Sequence, residues 1–283
     1  RFYDQAAPEG STHQDLTQLV SDLNAGKIKL LIIDDSNPVY ALPHSMGFLK
    51  AMKKAFVVSL ASQKSETTHA ANLVLPTLTA YESWGDAFPR TGVRSIQQPV
   101  MSSVNTFDAK AREDILLSAA QSANEKAFPR NSNYLDYLQD VWSKIQREVG
   151  DERNFDSFWI NVLENGGIFE QPKYISTSLN RKVTSVKVND PGMTDRDGLT
   201  LLPTTSLLLG DGSGANKPWL QEVPNPMSQI VWDSWVEINP ETAQKLGIND
   251  RAIIEVTTPH GSVQATAYYH FGIHRNAIST PMG

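Results

Sequence analysis

The chain contains no cysteine. That excludes disulfides, Cys-ligated zinc, an iron–sulfur cluster held by these residues, and a thiol nucleophile. It leaves the redox compartment open, because either environment tolerates a Cys-free chain. Long apolar runs are missing too: none approaches the roughly 18 residues a membrane-spanning helix needs, so no direct membrane insertion is expected. RFYDQAAPEG at the amino terminus has neither a signal-peptide core nor an initiator Met. The start therefore reads as internal to a longer or processed chain, and AISTPMG ends as abruptly. Clustered positive charge is absent. Net charge is −6, and Lys27, Lys29, Lys50, Lys53 and Lys54 are spread over helix ends as a solvated surface. Nucleic acid, which needs a concentrated basic face, is not an expected partner.

Catalytic signatures are also lacking. Only His270 and His274 have the H-x-x-x-H spacing that sets two ligands on one helix face. Their context, HFGIH after a strand and without an intervening Glu, reads as a glycine turn and not a metal site. Ser, His and Asp form no elbow or triad pattern. No catalytic residue and no metal ligand is assigned.

What is present is an alternation of helical and strand-like segments. The length, 283 residues, suits about two domains, and 40% hydrophobic content suits a packed core in each. Ser11 to Asn24 reads as a helix, with a Ser11/Gln14 capping box and Leu16, Leu19, Val20 and Leu23 at helical spacing. LLIID (30–34) reads as a strand buried on both faces. Met46–Lys54 reads as a short helix with Met46, Leu49 and Met52 inward, Phe56–Leu60 as a second strand, Ser65–Ala71 as a helical turn and Leu73–Leu75 as a third strand. Such alternation implies a parallel sheet with right-handed crossovers. Helices are expected over Ala109–Ala123 (Ile115, Leu116, Ala119 and Ala120 on one face), Tyr134–Val149 and Phe155–Glu164. From Leu199 the period shortens to two. SWVEI (234–238) runs into a helix capped by Asn239 with Pro240 at its first position, and residues 251–270 form a hairpin turning at Pro259-His260-Gly261. The expected fold class is α/β: a parallel-sheet nucleotide-crevice domain with C-terminal helices over 1–167, a linker over 168–198, and a small β barrel over 199–283.

The run from Ala71 to Pro99 leaves the strand LVLP and continues as an irregular, Gly/Pro/Trp-studded loop. Loops of that length are usually functional, and the C-terminal ends of parallel strands are where open α/β sheets bind ligands.

Several motifs, in order, carry a family resemblance: Asn37-Pro38 after the first strand, FVVSLASQKSETTHAANLVLP (56–76), ESWGDAFPRTGVRSIQQP (82–99), GANKPWLQE (214–222) and SWVEINPETAQKLGI (234–248) with Gly261. They resemble the C-terminal half of the large subunit of molybdopterin oxidoreductases, the dimethyl-sulfoxide-reductase superfamily. The Glu-Ser-Trp-Gly-Asp form is most similar to polysulfide-reductase-type subunits and to the molybdopterin-like subunit of alternative complex III. The resemblance implies an oxidoreductase of respiratory electron transport, a terminal barrel of double-psi type, and a molybdenum or tungsten centre carrying bis-molybdopterin guanine dinucleotide. It implies as partners the remaining part of the large subunit and iron–sulfur and membrane-anchor subunits, at the periplasmic or exterior face of the cytoplasmic membrane. The metal and cluster ligands belong further toward the N-terminus in that family, so this chain alone is expected to lack redox activity. The alternative is a scaffold subunit that keeps the fold without the cofactor. Three departures bear on the choice. Ala61 stands where the family has the Asp associated with guanine, Asn72 where it has Asp, and Arg251-Ala252 where it has Gly-Asp.

The cofactor-binding candidates are Asn37, Ser62, Gln63, Thr67, Trp84, Gly85, Asp86, Arg90, Asn216, Lys217 and Gln221. Each has a plainer reading. Asn37 also suits an Asx-Pro turn, Ser62 and Gln63 a solvated loop, and Thr67 a helix first turn. Asp86 and Arg90 suit a local ion pair, Trp84 a loop anchor, and Lys217 a solvated lysine.

Overall fold

The computed structural model describes residues 2–3, 10–104, 107–124, 131–171, 174–176 and 198–282. The chain divides into two compact units. Arg1–Asp35, Ser45–Lys64 and Thr68–Thr184 form one, and Ser36–His44, Ser65–Thr67 and Ser185–Gly283 form the other. The linker expected over 168–198 lies largely outside the described residues.

In the first unit a short strand β1 (Phe2–Tyr3) precedes helix α1 (His13–Asn24). The cap of α1 is Thr12. Its hydroxyl accepts the Asp15 N–H, and the Asp15 carboxylate accepts the Thr12 N–H. The capping box thus sits one residue later than Ser11/Gln14, because Asp15 takes the reciprocal role usually given to Glu or Gln. Strand β2 (Leu30–Asp34), helices α2 (Pro38–Ala41) and α3 (Phe48–Met52), strand β3 (Phe56–Ala61), helix α4 (Glu66–Ala70) and strand β4 (Leu73–Pro76) follow. The three strands pair in parallel in the order β2-β3-β4.

Two expectations here are corrected. Helix α3 buries Phe48, Ala51 and Met52, while Leu49 is 41% exposed. Gly47, at φ +68, interrupts the chain after a 3-10 turn at His44–Met46 and resets the helical phase. Strand β2 is not buried on both faces: Ile33 is 6% exposed, but Leu30 is 55% and Ile32 46% exposed. At the other end of the sheet, Asn72 clasps the start of β3. Its side-chain oxygen accepts the Val57 N–H at 2.8 Å, and its own N–H donates to the Val57 carbonyl at 2.9 Å.

The segment 77–99, expected as irregular loop, contains a β-hairpin. Strands β5 (Gly85–Arg90) and β6 (Val93–Gln97) pair antiparallel, with a register shift between Ala87 and Arg90. Pro89 hid the strand from a sequence reading. It is tolerated because β5 is the outer strand of the three-stranded sheet, beside an irregularity in pairing. Helices α5 (Arg112–Ala123), α6 (Tyr134–Glu148) and α7 (Phe155–Asn165) follow, then β7 (Gly167–Phe169) and β8 (Tyr174–Ile175). β8 pairs with β1, and β7 completes the sheet β5-β6-β7. Helices α6 and α7 hold the core cluster Leu138, Trp142, Ile145, Phe158, Trp159 and Val162. No residue of α5 is buried, so the expected apolar face of that helix is not a core face. Gly167, at φ +137, runs so close to β6 that a Cβ there would lie 2.2 Å from the Arg94 carbonyl oxygen.

In the second unit, β9 (Thr200–Thr205), α8 (Pro218–Gln221), β10 (Trp235–Ile238), α9 (Pro240–Lys245), β11 (Ile253–Thr258), β12 (Gly261–Tyr269) and β13 (Ala277–Met282) follow in order. The strands form a mixed sheet, β11-β12-β10-β13-β9. Among the described residues it is open: β11 and β9 are its two edges and do not pair, so the expected barrel is not closed. Val236, Ile238, Ala243, Ala265, Ala267 and Ile278 make its core. Asn239 caps α9 as its sequence indicates, accepting the Glu241 N–H, with Pro240 at the first position.

Candidate functional site

In the first unit, β3 ends at Ala61 and β4 at Pro76, and a cavity of about 560 Å³ opens beside both strand ends. Ala61, Ser62, Gln63, Lys64, Thr68, His69, Val74, Pro76 and Phe107 line it. Ser62 is held in place by Asp35, whose Oδ1 accepts the Ser62 hydroxyl at 3.1 Å and its N–H at 3.4 Å. Asp35 itself adopts φ +38, the left-handed region in which Asp is one of the better-tolerated side chains. The cavity therefore joins an apolar wall to the donors of Gln63, Lys64 and His69, on the loop where parallel sheets place ligands.

In the second unit, Asn37, Glu66, Thr67 and Asn216 form one hydrogen-bonded cluster. The Asn37 side-chain oxygen accepts the Thr67 hydroxyl at 2.8 Å and the Thr67 N–H at 3.1 Å. The Asn37 Nδ2 donates to Glu66 at 2.7 Å, and the Asn216 Nδ2 donates to the same Glu66 oxygen at 3.1 Å. Thr67, fully buried, in turn accepts the Val39 N–H at 3.1 Å. Three candidates from distant parts of the sequence thus meet around a residue that was not among them. Glu66 lies inside a quoted motif, but nothing local indicated that its carboxylate would receive two amides.

Lys217 is exposed at the start of the four-residue α8. Gln221 donates to the Ala215 carbonyl at 3.0 Å and lines a cavity of about 200 Å³ with Tyr40, Ser206, Trp232 and Trp235. Glu237, left open by the sequence, lies 3.2 Å from His270. His274 Nδ1 instead accepts the Asn276 N–H, so the two histidines have separate partners.

The hairpin candidates lie elsewhere in the first unit. Trp84 packs on the helical core, its ring 6.3 Å from that of Trp159. Gly85 opens β5 opposite Gln97. Asp86 accepts the Trp142 indole N–H at 3.3 Å, and burial pushes its carboxyl above the ordinary range. Arg90 is exposed at the hairpin tip, opposite Val93. Asp86 and Arg90 form no ion pair with each other. A cavity of about 240 Å³ behind the hairpin is lined by Trp84, Gly85, Asp86, Arg112 and Glu113 among others. Burial also raises the Glu113 carboxyl, and its Oε2 has no hydrogen-bond partner. The Tyr134 hydroxyl is pushed up to about 12, first by burial and then by the charges of Asp86 and Glu113.

Among the described residues no helix is long and apolar enough to cross a membrane. Residues 219–283 match the family described as Molydopterin dinucleotide binding domain. The chain is 23% identical over 278 residues to "Menaquinone reductase, molybdopterin-binding-like subunit" of Nitratidesulfovibrio vulgaris, covering 95% of this chain and 38% of that protein. It is 22% identical over 283 residues to "Assimilatory nitrate reductase catalytic subunit" of Bacillus subtilis, covering 94% of this chain and 39% of that protein. Among solved structures, acetylene hydratase from Pelobacter acetylenicus superposes with a TM-score of 0.58 at 18% identity, over 94% of this chain and 39% of that one, which establishes a shared fold. The chain therefore spans about two fifths of the length of these relatives.

Proposed function

Because the chain is the C-terminal portion of a molybdopterin oxidoreductase of the dimethyl-sulfoxide-reductase superfamily, we propose that it holds the dinucleotide tail of a molybdopterin guanine dinucleotide in a respiratory large subunit. The match of residues 219–283 to a dinucleotide-binding domain carries this reading. The cavity beside Ala61, at about 560 Å³, falls in the size range of small-molecule sites. In this reading Ser62, Gln63 and Lys64 supply donors to base and ribose. In the second unit, taken by itself, Lys217 offers its exposed ammonium to a phosphate, and the hydrogen bonds among Asn37, Glu66, Thr67 and Asn216 hold that unit's own loop at Asn216 in place. When bound, the cofactor supplies the redox chemistry, and the protein binds, orients and excludes water. The open terminal sheet belongs, in this reading, to a double-psi barrel completed in the whole subunit. Iron–sulfur and membrane-anchor partners at the exterior face of the cytoplasmic membrane are further parts of the proposal, drawn from the family resemblance.

A second reading rests on specific observations. Ala61 offers no carboxylate to a guanine. The Val39 and Thr67 N–H groups, at the starts of α2 and α4 where an anion would be received, are already bonded to Thr67 and Asn37. Those features favour a scaffold that keeps the fold without the cofactor. Native mass spectrometry of the purified subunit, with calorimetric titration of GDP, separates the two. A co-purifying pterin or saturable GDP binding supports the cofactor-binding reading. A bare subunit with no heat of binding overturns it in favour of the scaffold.

A further inference from the structure

The second unit contains a cavity of about 200 Å³ that shares no lining residue with the cavity beside Ala61. Three aromatic side chains line it, Tyr40, Trp232 and Trp235, together with Gln221 and Asp233. Among the described residues no lysine, arginine or histidine lines it. Asp233 forms no ion pair among them either. Gln221 commits its amide nitrogen to the Ala215 carbonyl at 3.0 Å, which leaves its side-chain oxygen as an acceptor. The lining is therefore aromatic, with a single charge, and that charge is negative.

Two of these residues are held by a strained turn. The Asp233 N–H donates to the Val231 carbonyl at 2.7 Å, closing a three-residue turn around Trp232. Trp232 has φ +62, an outlier for a bulky side chain and the sign of the rarer, strained class of such turns. Conformations of this kind persist only where the surroundings over-determine them. Here the Trp232 N–H is fixed by the Gln221 carbonyl at 3.2 Å. The loop before it is fixed by buried Asn225, whose side-chain oxygen accepts the Met227 and Ser228 N–H groups at 2.9 and 3.0 Å. A glycine would take the same turn without strain. Trp232 is 58% exposed, so burial of its ring only partly offsets that strain. What the indole adds over a glycine is an aromatic wall for the cavity.

We propose that this cavity binds a small free organic ammonium ion, held by the rings of Tyr40, Trp232 and Trp235 and by the Asp233 carboxylate. The face of an aromatic ring attracts a cation, and methylated ammonium groups are recognised by cages of such rings. An anion would meet a carboxylate and no positive side chain. A neutral ligand would strip water from Asp233 and put nothing in its place. A hard metal ion asks for about six or more oxygen ligands, and indole rings are the wrong lining for one. The volume falls below the roughly 300–1,000 Å³ of drug-sized sites, so the ligand is compact and a nucleotide is excluded. The site is independent of any bound dinucleotide.

The test titrates the purified protein with choline chloride and with tetramethylammonium chloride at matched ionic strength, by calorimetry and by tryptophan fluorescence. Both cations should bind saturably at one site. Dimethylbutanol, the uncharged carbon isostere of choline, should bind at least about tenfold more weakly, since it keeps the shape and loses the charge. Asp233→Asn, at an exposed position, leaves the fold intact and should weaken choline by roughly tenfold. Trp232→Gly removes the ring and frees the turn of strain, so the fold is kept and choline binding should be lost. Phosphocholine separates a free cation from a lipid headgroup: its phosphate is repelled by Asp233, and it should bind at least about tenfold more weakly than choline. Equal binding of choline and dimethylbutanol overturns the proposal. So does choline affinity unchanged in both variants, or a parent protein that binds neither cation. Phosphocholine binding as tightly as choline overturns the free cation in favour of a headgroup.

Discussion

The side chains of Asn37 and Thr67 hold each other across the starts of two helices. One amide oxygen accepts both the hydroxyl and the backbone N–H of the threonine, at 2.8 and 3.1 Å. Thr67 passes the interaction on by accepting the Val39 N–H. The two residues therefore act as one buried fastening between the segments that follow β2 and β3.

Thr67→Val keeps the shape and removes the hydroxyl. It leaves the Val39 N–H without its acceptor and Asn37 with one donor fewer, in a site with no water access at residue 67. The expected cost is about 1–3 kcal/mol in urea unfolding, the range for an orphaned buried polar group. A loss under about 0.5 kcal/mol would mean that the fastening contributes little.

Ala61 lies on the wall of the larger cavity, at the end of β3. Ala61→Asp restores the carboxylate that the resemblance associates with guanine. A charge-assisted contact to the base is worth roughly 1.5–3 kcal/mol, so GDP should bind about tenfold to a hundredfold more tightly by calorimetry. Tight binding to the parent with no gain in the variant would refute this placement of the base.

Arg251 has φ +63, a left-handed conformation in which most side chains are strained. The glycine expected there from the resemblance has no such cost. Arg251→Gly should stabilise the fold by about 0.5–1 kcal/mol after the loss of chain entropy, raising the melting temperature by roughly 1–4 °C. A lower melting temperature would show that the Arg251 side chain makes a compensating contact.

Asp86 should give a pH-dependent signature. Burial raises its carboxyl pKa, and the Trp142 N–H only partly offsets this. The folded state thus holds the proton more tightly than the unfolded chain. The penalty is absent below the ordinary carboxylate value, grows as pH rises through it, and is complete above the folded value. Asp86→Asn keeps an acceptor for Trp142 and removes the charge. It should stabilise the protein at pH 7, with the gain vanishing near pH 3. A gain independent of pH would assign the effect to packing.

Legibility followed the range of the interaction. Helix α6 could be read directly because Leu138, Trp142 and Ile145 repeat at helical spacing and are the residues buried. The Asn239-Pro240 start of α9 was equally local. The phase of α3 was missed because Gly47, not the apolar pattern, fixes where the helix begins. The hairpin β5–β6 was missed because Pro89 and a change of register interrupt the alternation that marks a strand. Ser62 and Gln63, expected in a loop at a strand end, do lie there and line the cavity beside β3 and β4. The meeting of Asn37 with Thr67, 30 positions away, and of Asn216 with Glu66, 150 positions away, has no local signal. Trp84 and Asp86 carried conspicuous composition, but they serve the helical core through Trp159 and Trp142.

The division of the chain has a topological consequence. Segments 36–44 and 65–67 belong to the second unit although the chain on either side of each belongs to the first, so the polypeptide crosses between the units at 35/36, 44/45, 64/65, 67/68 and 184/185. Along the sequence the two units alternate, and neither is one uninterrupted stretch of chain. A single proteolytic nick near residue 184 would leave Asn37, Glu66 and Thr67 on the amino-terminal fragment and Asn216 on the other, with their shared hydrogen bonds spanning the cut. Excising the terminal sheet as a free-standing module would strip it of two segments that its own unit contains, one of them carrying α2. Losing or acquiring that sheet as a block would therefore require matching changes far upstream in the sequence.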